Sequence, residues 1–130
     1  MIIDVTNEIY TRLKNSINNC TILASYPDIA PSFPCIIIEE GSNTVLQETI
    51  DSGGQHHSEV LLELNIFSNS QAKITEVKSL RNQIDAILGD EYGMSRIFSG
   101  AIPNLADTTI YRYVMRYSFI INVNKEIYRR

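Results

Sequence analysis

The sequence predicts an α+β fold in which two helices pack on one face of a mostly antiparallel twisted sheet, with an extended β-hairpin arm. Three observations lead there. Val5, Ile9, Leu13 and Ile17 recur every four residues, while Ile74, Val77, Leu80, Ile84, Ile87 and Leu88 recur every three or four, so two amphipathic helices are expected. Two other segments alternate at period two, Val60-Leu62-Leu64-Ile66 and Tyr111-Tyr113-Met115-Tyr117-Phe119-Ile121-Val123, which is the signature of strands with one face covered. The resulting order of helix, strand, strand, strand, helix, strand, strand shows no internal repeat and no linker, and gives a two-layer α+β arrangement.

The first helix is expected over residues 4–18, with Asp4 or Thr6 at its start and Asn18-Asn19 at its end. Its stripe of one apolar residue per turn suits a helix lying across a sheet with most of its surface in water. Residues 20–26 are β-prone and end at Pro27; Pro27, Pro31 and Pro34 then hold an irregular crossing. Cys35-Ile36-Ile37-Ile38 reads as a strand covered on both faces, and it runs into the polar stretch 39–50. Gly53-Gly54 marks a turn, and residues 58–67 return as a strand, so the two form a long hairpin. The outer part of that hairpin, about residues 41–57, carries too few apolar groups for a core and reads as an arm. The second helix is expected over 70–88, with Gly89 as a left-handed C-terminal cap. A short strand follows near residues 94–99, then a loop over 103–108 and the longest strand candidate over 109–123. Residues 124–130 read as a flexible, polar and basic tail.

At 130 residues the chain is expected to form a single α+β domain over residues 1–130. An apolar fraction of 44% with 20% charged residues excludes wholesale disorder. No apolar run reaches the length of a membrane span, and Met1-Ile2-Ile3-Asp4 lacks the basic region and apolar stretch of a signal peptide, so the chain is expected to be made in the cytoplasm and to stay there unless packaged. Cys20 and Cys35 form no metal or redox spacing and read as reduced core thiols. A net charge of -4 argues against a strong grip on nucleic acid or anionic lipid.

The residues offer no recognisable catalytic, cofactor or metal site. Gly53-Gly54 is followed by Gln-His-His, not by the Lys-Ser/Thr and helix of a phosphate loop. His56 and His57 are adjacent, so on a strand they point to opposite faces, as do Glu39 and Glu40. Cys35 opens an apolar run and is read as an inert buried thiol. The expectation is a non-enzyme with no cofactor and no small-molecule substrate.

The final strand draws a sharper expectation. Fifteen strand residues span about 50 Å, whereas a compact chain of this length is only about 36 Å across. Either the strand bends or stops early, or its ends and the 41–57 arm reach neighbouring subunits. Arg112 and Arg116 lie on its less aromatic face about 13 Å apart. They are placed to pair with Glu59 or Glu63 on a neighbouring strand, or to make an intersubunit or phosphate contact.

Tyr26-Pro27-Asp28, Phe33-Pro34-Cys35-Ile36-Ile37-Ile38-Glu39-Glu40, Leu62-Glu63-Leu64-Asn65-Ile66-Phe67 and Tyr111-Arg112-Tyr113-Val114-Met115-Arg116-Tyr117, in this order of elements, resemble the tail terminator, or tail completion, proteins of long-tailed bacteriophages. The resemblance covers nearly the whole chain, though each piece is degenerate. It implies a hexameric ring that caps the head-proximal end of the tail tube, stops its polymerisation and joins tail to head. The implied partners are further copies of the chain, the tail tube protein and head or neck connector proteins, with DNA passing through the channel without specific binding and no membrane involved. The implied location is the tail or neck of the virion, assembled in the host cytoplasm. Carried onto this sequence, the subunit and tube contacts fall on Asn43, Val45, Leu46, Gln47, His56, His57, Arg112 and Arg116. Two alternatives stand beside it: another phage neck or head-tail connector component, and a non-viral intracellular RNA- or protein-binding module stacking bases on Tyr111, Tyr113 and Tyr117.

Overall fold

The computed structural model describes residues 4–24, 32–46, 57–103, 107–122 and 124–127. Helix α1 spans Thr6–Ser16, strand β1 Thr21–Leu23, β2 Cys35–Leu46, β3 His57–Ser68, helix α2 Lys73–Asp85, β4 Ser95–Ile102 and β5 Tyr111–Asn122. The five strands form one sheet in the order β1-β2-β3-β5-β4. β1 runs parallel to β2, and every other pair is antiparallel. The expected α+β fold, with two helices on a mostly antiparallel sheet, is the fold observed.

Side-chain period explains the layers. In α1 the spacing of four keeps Val5, Ile9, Leu13 and Ile17 on one buried face. The Asp4 carboxylate accepts from the Thr6 amide (2.9 Å) at its start, and Asn19 takes a left-handed φ of 59° just past its end. Beneath it, Ile36 and Ile38 of β2, Val60, Leu62, Leu64 and Ile66 of β3, and Tyr113, Met115, Tyr117, Phe119 and Ile121 of β5 share the helix-covered face. Val77, Leu80 and Ile84 of α2 join the same core. The aromatic row of β5 is therefore interior, and Tyr113 and Tyr117 are not a platform for bases.

The apolar run of β2 is buried on both faces, as expected. The strand does not stop there but continues through a bulge between Glu40 and Ser42 to Leu46, opposite His57. A Cβ at Gly41, in that bulge, would approach the Leu61 side chain to 3.2 Å. Of the candidate strand 20–26, Thr21–Leu23 is strand and residues after Ala24 lie outside the described residues, as do Tyr26, Pro27, Pro31 and the Gly53-Gly54 turn.

Three expectations are corrected. Gly89 is not a left-handed cap: α2 continues as a π-helical turn through Glu91, and the positive φ of 73° belongs to Gly93. Gly89 is small for another reason, because its missing Cβ would lie 3.0 Å from the Asp85 carboxylate. The last strand ends at Asn122 and, with 12 residues, is no longer than β2 or β3. Its end lies flush with theirs, since Leu46, His57 and Asn122 are successive register partners, so β5 does not overhang its neighbours. Finally, residues 124–127, expected in a flexible tail, are folded back on the domain. The Asn122 side chain accepts from the amides of Asn124 (2.9 Å) and Glu126 (3.0 Å), Lys125 pairs with Glu8 (2.8 Å), and Ile127 bridges back to Ile121 against the core.

Leu64 is fully buried at the centre of the covered face, whereas Ile74 on α2 is 50% exposed. Leu64→Ala is expected to cost about 2–5 kcal/mol in urea denaturation, and Ile74→Ala to stay within about 0.5 kcal/mol.

Candidate assembly surfaces

The residues singled out for interfaces separate into two places. Asn43 lies on β2 opposite Val60, half-buried, and its amide reaches Glu40 (3.3 Å). Val45 and Leu46 are opposite Ser58 and His57, and His57 is also opposite Asn122, so these positions mark one end of the sheet. Gln47 and His56 lie outside the described residues. Arg112 is opposite Phe67 near the other end, and Arg116 is opposite Glu63 between them. The distance along the strand from His57 to Phe67 is about 33 Å, so the arm and Arg112 do not form one site.

Arg112 and Arg116 lie on the face away from the helices and are engaged across the β3–β5 seam. The Arg116 Nε donates to Glu63 (2.8 Å), as the pairing with a neighbouring strand requires, and its guanidinium stacks 5.0 Å from the Phe98 ring. The Arg112 Nε donates to the buried Asn65 side chain (2.9 Å), and its guanidinium lies 5.9 Å from the Phe67 ring. Asn65 in turn donates to Glu63 (3.3 Å), so one polar ladder runs down the face. An open groove beside Ile102, Pro103 and Ile110 has Lys73 and Arg112 on its wall. The Lys73 ammonium already donates to the Thr109 carbonyl (3.1 Å).

Charge is segregated across the sheet. The β2–β3 hairpin carries Glu39, Glu40, Glu59 and Glu63 and no Lys or Arg. The β4–β5 pair carries Arg96, Arg112 and Arg116 and no Asp or Glu. Both lateral edges are also open among the described residues. β1 covers β2 only from Cys35 to Ile37, leaving Ile38–Leu46 without an outer partner, and β4 is paired on its inner side alone. β4 bulges between Arg96 and Phe98, where Ile97 is 57% and Phe98 38% exposed. The sequence reading passed over this edge. Its available signal was the pair Ile97-Phe98 set between Ser95-Arg96 and Ser99-Gly100-Ala101.

A second cluster fixes α2 over β5. The Tyr117 hydroxyl donates to Asp85 (2.6 Å), which also pairs with Arg96 (3.1 Å). Burial first, then the bond to the Asp85 carboxylate, holds the Tyr117 phenol well above its ordinary range. Burial also pushes the Tyr113 phenol up, but its hydrogen bonds with Ser99 (2.6 Å) and Arg81 (3.3 Å) and the nearby cationic charge outweigh that and leave it lowered. Burial raises the Cys20 thiol to about 12 and the Cys35 thiol to about 11, so both stay protonated and unreactive near neutrality. No group of three or more His, Cys, Asp or Glu among the described residues is placed to hold a metal ion.

Tyr117→Phe is expected to lower stability by about 1 kcal/mol, because the half-exposed Asp85 keeps Arg96 and gains water when the hydroxyl is lost. The thiols give a pH dependence with a definite sign. Unfolded thiols ionise near 9.0 and the folded ones only near 11 and 12, so between these values the unfolded chain binds fewer protons. Stability owed to them is intact below pH 9 and declines as pH rises toward 11–12, with Tyr117 adding to the decline. Urea midpoints measured from pH 7 to 11 are expected to be shallower in slope for a Cys20→Ala/Cys35→Ala variant between pH 9 and 10.

No family model matches the chain, and no curated protein matches it. No helix among the described residues is long and apolar enough to cross a membrane. Among solved structures, the fold is similar to that of a chain in the virion of a native gene transfer agent particle, with a TM-score of 0.57 and 11% sequence identity, over 87% of this chain and 88% of that chain. At that identity the likeness is one of fold.

Proposed function

We propose that the chain is a non-catalytic structural protein of a phage-like particle and, within that class, a tail terminator whose copies close into a hexameric ring at the head-proximal end of the tail tube. The observation that carries the reading is the likeness of fold, over nearly the full length of both chains, to a component of the gene transfer agent virion. The motif resemblance to tail terminators supplies the finer assignment. The surfaces support it: β2 continues as polar strand beyond its apolar run, and among the described residues both lateral edges of the sheet are open to pairing, β2 from Ile38 to Leu46 and β4 along its outer side. A chain of net charge -4 also suits a passage through which DNA moves without adhering. In this reading the tail tube protein binds one ring face, a neck or head component binds the other, and contacts to a neighbouring subunit or the tube are assigned to the segment around Asn43 to His57.

The reading is tested by native mass over a wide concentration range, with negative-stain images of the same samples alone and with assembled tail tubes. Six-subunit rings, or particles seated on tube ends, are expected. A chain that stays monomeric and ignores tube ends overturns the reading.

Because Leu46 and His57 are register partners, a two-residue Gly-Ser turn replacing 47–56 closes the hairpin at that point. This variant is expected to melt within a few degrees of the parent yet to lose ring assembly or tube capping. A collapsed melting transition means that 47–56 belongs to the core, and unchanged capping means that it makes no essential contact.

A further inference from the structure

We infer that copies of this chain join head to tail by antiparallel pairing of the open β4 edge of one copy with the Ile38–Leu46 stretch of β2 of the next. The inference rests on the reading of the chain as a ring component and names the contact that builds the ring.

Four observations converge on a second copy as the occupant of these edges. First, Ile38–Leu46 and Ser95–Ile102 are of similar length, lie on opposite sides of one sheet, and have no outer strand partner among the described residues. Second, their directions match. β3 is antiparallel to both β2 and β5, and β4 is antiparallel to β5, so β2 and β4 run in opposite senses. A neighbour in the same orientation therefore sets its β2 antiparallel to this β4, a heterologous contact that closes into a ring when each step turns through a fixed angle. Third, the acidic β2–β3 side of one copy meets the basic β4–β5 side of the next, the charge complementarity that favours this pairing and disfavours β2 on β2 or β4 on β4.

The fourth observation is local. Glu39 and Glu63 are direct register partners on one face, and like charges placed so are unfavourable. Glu63 is compensated by Arg116 and Asn65, whereas no hydrogen bond or ion pair reaches Glu39 among the described residues. Among the described residues Glu39 thus stands as an unpaired carboxylate at an open edge, on the same face as Phe98 of β4 and Arg116 of the adjoining β5 on the other side of the sheet. Pairing the edges would cover Ile97 and bring cationic charge to Glu39.

The test separates assembly from folding. Glu39→Lys removes the like-charge pair within the monomer, so its melting temperature is expected to hold or rise while its native mass falls to that of a monomer. Ile97→Lys, at an exposed bulge position, is expected to do the same from the other edge. Ile74→Lys, on the exposed surface of α2, is the control and is expected to assemble as the parent does. A parent that assembles while both edge variants also assemble overturns the edge contact and leaves the ring reading standing. A parent that remains monomeric at high concentration overturns both.

Discussion

The structure depends on β3 lying against β5 along the full length of both strands. These are the two central strands of the five, and they carry most of the sheet's share of the core. Their covered faces supply Val60 to Ile66 and Tyr113 to Ile121, the floor on which α1 and α2 rest. Their other faces supply the ladder of Glu63, Asn65, Arg112 and Arg116. A one-residue slip of this register would turn the apolar set outward and separate every polar pair, so both faces enforce the same alignment.

Much of this was legible because it follows from period. The stripe at Val5, Ile9, Leu13 and Ile17, the alternation in β3 and the aromatic row of β5 each have one face to bury, and each is buried where the period places it. An ion pair with Glu59 or Glu63 was among the readings of Arg112 and Arg116, and the register of β3 on β5 selects Arg116 with Glu63. What was not legible came from contacts between distant segments. Gly89 looked like a cap because local rules describe φ, and nothing local reveals that Asp85 needs the space of a Cβ to meet Tyr117 and Arg96. The tail looked free because Asn124 to Glu126 are polar, while the turn that returns Ile127 is made by the side chain of Asn122. The β4 edge escaped notice because its exposure depends on strand order, which period does not encode.

The interface residues show the same division. The arm positions Asn43, Val45, Leu46 and His57 do fall together at one end of the sheet, because a hairpin aligns its two strands by itself. Arg112 and Arg116 belong elsewhere, and their Nε atoms are already committed to Asn65 and Glu63. The grouping of charge by strand pair emerges only once the two pairs are set side by side. Within the sheet it is satisfied along the seam by Arg116 and Glu63, and on β4 Arg96 is met by Asp85 of α2, whereas Glu39 on β2 has no such partner among the described residues.

That grouping also bears on how the chain folds. β2–β3 and β4–β5 are each antiparallel pairs of neighbours in the chain and form by local closure, whereas the β3–β5 seam joins strands separated in sequence by α2 and β4. The closure that costs the most loop entropy is therefore the meeting of two ribbons, one whose charged side chains are all acidic and the other whose charged side chains are all basic. Their attraction speeds the encounter at low salt and weakens as ions screen it. Opposite charge thus guides the correct pairing inside one molecule during folding, before any second molecule is present.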